Sequence, residues 1–433
     1  MFDHPHCRTP HSHALRWLLP LLILALVPLS AAAQGATIWQ VRIGRPVDGA
    51  RAVAADSAGN VYLVGTSNGD FGGQTAIGIG DAFVRKYSSS GTQLWTRLIG
   101  VVGDETSGLG VAVDADDNLY VVGRVNANLD GQVNAGLGDA FVRKFSSEGT
   151  SLWTRLIGTP TPDYAGDVAV DGAGRVYVTG GTYGSFQGQP AAGDNIFVSV
   201  YDSSGAHQWT RQTGSAGYDS VYSVAVDGVG NAYLAGFVDA PINGQPIAGV
   251  RDGVLIKYHH DGTHAWTRLT GYTGYDAAQG VAVSAAGTSY LVGHRETDAL
   301  TTDVFVRAYD ASGALQWSRE FGSPEMDWSA DVGLDAAGDL YVAGDTRGRL
   351  DGQPSPRGES DMFVRKYSPS GSARWTLMLG TPDSDVAEAI AVTPTGVLYL
   401  AGFIYGGFQS DALLVRSINP TLTPRTFLPL IPQ

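Results

Sequence analysis

The chain has 433 residues, of which 43% are hydrophobic and only 16% charged, with 58 glycines and a formal net charge of −14. That composition excludes a disordered polyelectrolyte, and the acidity argues against nucleic acid and anionic membrane surfaces as partners. A single cysteine, Cys7, excludes a disulfide framework, so packing must hold the fold.

Residues 1–33 read as an export signal. Arg8 and Arg16 precede the apolar run from Leu18 to Leu29, and Ser30-Ala31-Ala32-Ala33 offers small residues for cleavage after Ala33. The run is short for a bilayer and contains Pro20 and Pro28. A secreted or cell-surface protein is expected, without membrane insertion after cleavage. Cleavage removes Cys7 and takes the formal charge to −15, since Asp3, Arg8 and Arg16 leave together.

From 34 to 418 the chain repeats itself. Tryptophans recur at Trp39, Trp95, Trp153, Trp209, Trp266, Trp317 and Trp375, with four short segments returning between them. One unit reads Gly110–Asp114, Leu119–Gly123, Asp139–Phe145 and Ser151–Gly158. Each segment is rich in β-branched and aromatic residues and bounded by Gly, Asp or Ser, the signature of a strand. We label them A to D. No window sustains a helical period, so the class is all-β. D-x-x-G turns such as Asp56-Ser57-Ala58-Gly59 join A to B, and S-x-x-G-like turns join C to D. Four antiparallel strands with tight hairpins make a propeller blade.

The phase at the two ends predicts how the ring closes. A lone D strand around Trp39 comes first, and A, B and C strands ending near Ser417 come last. The N-terminal strand is therefore expected to complete the last blade, giving a closed seven-bladed β-propeller of four-stranded antiparallel blades. A small residue recurs in strand A (Ala54, Ala112, Ala169, Ala225, Ala282, Gly333, Ala391), which is expected near the crowded axis. The recurring Trp is expected to fill the wide outer gap between blades.

Segments such as Gly59–Gly65 followed by Asp81–Trp95 resemble the bacterial SBBP β-propeller repeat. The resemblance implies an extracellular or cell-surface protein and carries no catalytic residues across. The C–D turn leading into tryptophan also resembles the docking motif of quinoprotein propellers, whose cofactor and metal residues have no counterpart here. The proline-rich tail, 419–433, reads as a disordered end, with packing on the rim or surface retention as alternatives.

The longer D–A and B–C loops should share one face, which is the expected functional face. Two aspartate rings point to it. One precedes strand C (Asp81, Asp139, Asp252, Asp303, Asp361, Asp411) and the other opens strand A (Asp48, Asp163, Asp219, Asp276, Asp327, Asp385). Residues repeated in every blade are expected to tie their own loops to the backbone. The residue after the strand B glycine instead varies, and Arg124, Phe237, His294, Asp345 and Phe403 are the candidate ligand-binding residues. No cofactor and no metal site is expected. The histidines His259, His260 and His264 share one turn, and Asp114–Asn118 opens like a calcium loop but lacks its later glycine and glutamate. No catalytic motif is found. The favoured reading is a monomeric, noncatalytic scaffold binding an extracellular ligand or protein through the loop face. A secreted lyase or hydrolase using His294 and Asp345, and a structural or adhesion module, are the alternatives.

Overall fold

The structure, a computed structural model, describes residues 39–43, 47–186, 188–189, 193–298, 301–353, 356–406, 409–417 and 426–429. The segment 1–33, expected to be an export signal, lies outside them. The described residues form strands and turns without a helix, arranged as seven antiparallel sheets. Blades 1 to 6 span 47–99, 106–157, 163–213, 219–270, 276–321 and 327–380. In blade 2 the strands A to D are Thr106–Val113, Leu119–Val125, Asp139–Phe145 and Ser151–Ile157.

Blade 7 is built from both ends of the chain. Ser384–Val392, Leu398–Gly406 and Gln409–Ser417 supply three strands, and Trp39–Ile43 pairs antiparallel with the last of them. The register sets Trp39 opposite Arg416 and Ile43 opposite Ala412. Closure therefore joins strand D from the N-terminal side to strand C from the C-terminal side, and the ring has no open blade.

Strands B and C are buried on both faces, as sheets stacked between neighbouring sheets must be. The core is a set of clusters lying between adjacent blades. One packs Tyr62, Val64 and Val84 of blade 1 against Val111, Val121 and Phe141 of blade 2. The small residues of strand A belong to this interblade packing rather than to the axis. Ala54 lies against that same cluster, and a Cβ on Gly333 would come within 2.4 Å of Val392 in the next blade.

The Trp motif acts as a clamp on the following blade. Trp153 Nε1 donates to the Ser203 carbonyl and Arg155 Nε to the Gly205 carbonyl, both in the next C–D turn. Gly205 holds φ +80° beneath the indole, where a Cβ would meet the ring at 2.9 Å. Most of these tryptophans are only half-buried. They lie across a turn instead of filling an enclosed gap, because the outer edges of the blades stay open to solvent.

The tail contributes a strand as well. Thr426–Pro429 pairs parallel with Ala373–Gly380, making blade 6 five-stranded. This part of the tail packs on the rim, which corrects the expectation of a disordered end.

Candidate functional site at the channel mouth

Every strand A carries a β-bulge at the same place, where the loop face meets the central channel, and strand A of blade 1 has a second irregularity between Val47 and Gly49. The register shifts place the extra residue at Arg51, Leu109, Gly166, Tyr222, Gln279, Ala330 and Glu388. A bulge turns one side chain out of the pleat. Here all seven line one central cavity of about 250 Å³. The seven residues are all different, on a scaffold whose other positions repeat. They form the ring that strand-level reasoning missed.

Beneath the bulges, the next residue links blades. Asp167 accepts the Val168 and Val224 amides at 2.8 and 2.9 Å, and Asp331 accepts those of Val332 and Ile390 at 2.7 and 3.1 Å. In each pair the second amide belongs to the following blade. Burial pushes Asp167 up to about 7 and Asp331 up to about 6.

A second cavity of about 370 Å³ opens between blades 5, 6 and 7. Its wall includes Gln279, Glu388, His294, Trp328, Asp345 and Arg347. Asp345 accepts the Ser360 hydroxyl at 2.9 Å, and burial pushes its carboxyl up to about 7. His294 Nδ1 is shut off from solvent and makes no hydrogen bond. Burial first, and then the charge of Arg251, push His294 down to about 4, so it is neutral at pH 7. The Arg347 guanidinium lies 5.3 Å from the Trp328 ring centre. His294 and Asp345 thus line one cavity without a hydrogen bond between them.

The other candidates serve differently. Phe237 is 1% exposed and Phe403 3%, so both back other side chains instead of meeting a ligand. Arg251 lies over Phe237 at 3.7 Å and Arg51 over Phe403 at 5.1 Å. Arg124 sits apart, with its Nη2 donating to the Leu137 carbonyl at 3.3 Å.

The aspartate rings bind their own loops. Asp81 accepts the Ile77 and Gly78 amides, Asp252 those of Ala248 and Gly249, and Asp385 the Thr381 amide and hydroxyl. Asp411 and Asp48 lie where side chains are outside the described residues. Asp114 is likewise consumed by its turn and by Tyr120 and Lys144. Asp117 takes the left-handed position, φ 61°, that glycine holds in sister turns. His207 and His264 each bond a threonine hydroxyl three residues on, and no cluster of metal-binding groups occurs among the described residues.

The SBBP beta-propeller repeat family matches residues 43–72, 94–130, 152–187 and 208–236. The regulatory protein FlaEY of Caulobacter vibrioides is 28% identical over 297 residues, covering 62% of this chain and 29% of that protein. The match thus spans less than a third of that relative's length. Among solved structures, a puromycin hydrolase mutant complexed with PGG aligns with a TM-score of 0.50 at 15% identity, over 87% of this chain and 53% of that one. Virginiamycin B lyase from Staphylococcus aureus aligns at 0.49 and 9% identity, over 87% and 99%. These likenesses concern the fold alone. The four matching stretches and the closed ring show a seven-bladed β-propeller that carries SBBP-type repeats.

Proposed function

We propose that the protein is an exported binding scaffold that takes its ligand at the channel mouth on the loop face. One observation carries this reading: the seven bulge positions hold seven different residues around one cavity, Gly166 leaving an open place among them, while the surrounding framework repeats. Blade-to-blade identity serves the ring, and difference at a shared, concave place serves recognition. The basic residues Arg8 and Arg16, the short apolar run and the small residues ending at Ala33 support a location outside the cell.

The test is thermal unfolding of the chain from Gln34 onward across glycans, peptides and calcium, since a ligand bound only by the folded form raises Tm. A saturable rise that is lost in the double variant Gln279→Ala, Glu388→Gln supports the mouth as the site. A rise that survives in that variant overturns it.

A hydrolase or lyase is the second reading, favoured by one fact: Asp345, pushed up to about 7, shares a cavity with a neutral His294. Its weakness is the missing contact between the two. Turnover of a bound compound that ends in both Asp345→Asn and His294→Gln would move the assignment to an enzyme.

A further inference from the structure

Resting on the binding reading, we propose that the channel mouth and a tyrosine cluster beside it form one elongated site for a neutral oligosaccharide. The cavity between blades 5, 6 and 7 holds one end of the sugar chain, and the tyrosines carry the rest.

The cluster lies on blades 4 and 5. Tyr218, Tyr222 and Tyr275 are 41%, 40% and 54% exposed. Scattered exposed aromatics are ordinary, but these three are held around one buried hub. Tyr218 and Tyr222 pack on Phe237 at ring distances of 5.4 and 5.7 Å. The Arg251 guanidinium covers Phe237 and stands 5.8 Å from both Tyr218 and Tyr275. Glu296 fixes the Tyr275 backbone by accepting its amide at 3.0 Å. Rings so anchored present flat faces with little conformational freedom left to lose on binding. Arg251 Nε is buried without a partner, an unusual state for a guanidinium.

The cluster runs into the mouth. Tyr222 is the bulge residue of blade 4, and Gln279, the next bulge around the ring, lines both cavities. Arg251 is close enough to His294 to disfavour its protonation. Tyr222 thus joins the tyrosine cluster to the central channel, and Gln279 joins that channel to the outer cavity.

The ligand class follows from what this surface offers. The cavity wall carries Gln279, His294, Ser329, Asp345, Ser360 and Ser384, groups that bond hydroxyls as donors or acceptors. A sugar ring brings hydroxyls around its edge and a C–H face for an aromatic ring, which matches polar wall and tyrosine face together. The wall also carries Trp328, Ala330, Val386 and Ala387, so a peptide is the rival occupant that the experiment sets against the sugars. A polyanion would find Arg347 and the Glu388-paired Arg51 at the mouth, but on a chain of net charge −14.

The experiment is calorimetric titration of the whole chain from Gln34 with neutral gluco-, xylo- and chito-oligosaccharides of increasing length, an oligouronate and an unstructured peptide. A neutral oligosaccharide is expected to bind, with affinity rising beyond the disaccharide. Tyr275→Ala should weaken the longer sugars about tenfold, leave the disaccharide unchanged and leave Tm near that of the parent, while Tyr222→Ala, which lines the mouth itself, should weaken every length. Tyr222→Phe, which keeps the ring, should restore affinity. Tenfold corresponds to about 1.4 kcal/mol. No binding by any neutral oligosaccharide overturns the proposal, as does a length dependence untouched by either tyrosine. Binding of the oligouronate or the peptide alone, lost on Gln279→Ala, overturns the sugar class while leaving the mouth as the binding site. Binding that persists with the mouth emptied overturns both readings.

Discussion

The Arg51 guanidinium meets the Glu388 carboxylate at 3.1 Å, joining the bulge of blade 1 to the bulge of blade 7 across the seam of the ring. The pair is partly exposed, with side chains 48% and 27% accessible. Burial raises the Glu388 carboxyl above the usual range, and Arg51 opposes that rise without reversing it. The ion pair offsets desolvation and adds little more. Glu388→Gln is therefore expected to change unfolding free energy by less than about 1 kcal/mol in urea, while weakening any ligand held at the mouth. A large loss of stability would mean that the seam depends on this pair and not on the strand that closes it.

Acidification should stabilise the protein down to about pH 4. Asp345 and Asp167 are pushed up to about 7, and Asp331, Asp219, Asp361 and Asp385 to about 6, in each case first by burial. The folded state therefore binds more protons than the unfolded chain between about pH 4 and pH 7. Stability from these groups is complete below the unfolded value and is lost as pH rises through the folded ones. His294, with a folded value of about 4, and His207 and His264, both lowered by burial, run the other way, but they are three groups against six. Tm measured from pH 4.5 to 8 should fall toward neutrality, with a shallower slope in Asp345→Asn. A Tm that rises across that interval would contradict the sign.

The Trp clamp predicts which turn glycines resist substitution. Gly205→Ala forces a Cβ against the Trp153 ring at a left-handed φ of +80° and should cost about 1–3 kcal/mol. Gly73 also holds φ +80°, with nothing within 4 Å of its Cβ position, so Gly73→Ala pays only for the backbone. Trp153→Ala should cost about 2–4 kcal/mol, from lost contact and the lost bond to Ser203. Equal losses in the two glycine variants, read from urea midpoints, would deny the clamp.

The strands, the number of blades and the closure were legible in the sequence because each blade solves the same packing problem with the same residues. The ring of bulge residues was not, although a signal existed. The bulge residue stands three places before the recurring small residue of strand A, as Tyr222 stands before Ala225 and Glu388 before Ala391. Alternating patterns cannot show a bulge, because the extra residue only shifts the phase. The variable position after the strand B glycine was visible instead. There the structure brings His294 and Asp345 to a cavity, but turns Phe237 and Phe403 into supports. Variation alone does not separate a residue that meets a ligand from one that shapes its neighbour.

Leu377 gives the tail its meaning. It stands two places after Trp375, where other blades carry Arg97, Arg155, Arg211, Arg268 and Arg319. Those arginines donate to the glycine carbonyl of the following C–D turn. Blade 7 has no such hairpin, because its fourth strand is Trp39–Ile43. An arginine at 377 would find no carbonyl there, and Leu377, Met378 and Leu379 are instead fully buried. The strand Thr426–Pro429 pairs along this edge, in the place where a bare apolar strand would otherwise recruit another chain. Truncation after Ser417 should lower stability by about 2–4 kcal/mol, from the lost strand pairing along Leu377–Gly380. It should also speed amide exchange in 373–380 selectively and promote association at high concentration. Exchange in that strand as slow in the truncated protein as in the parent would show that blade 6 holds its edge without the tail.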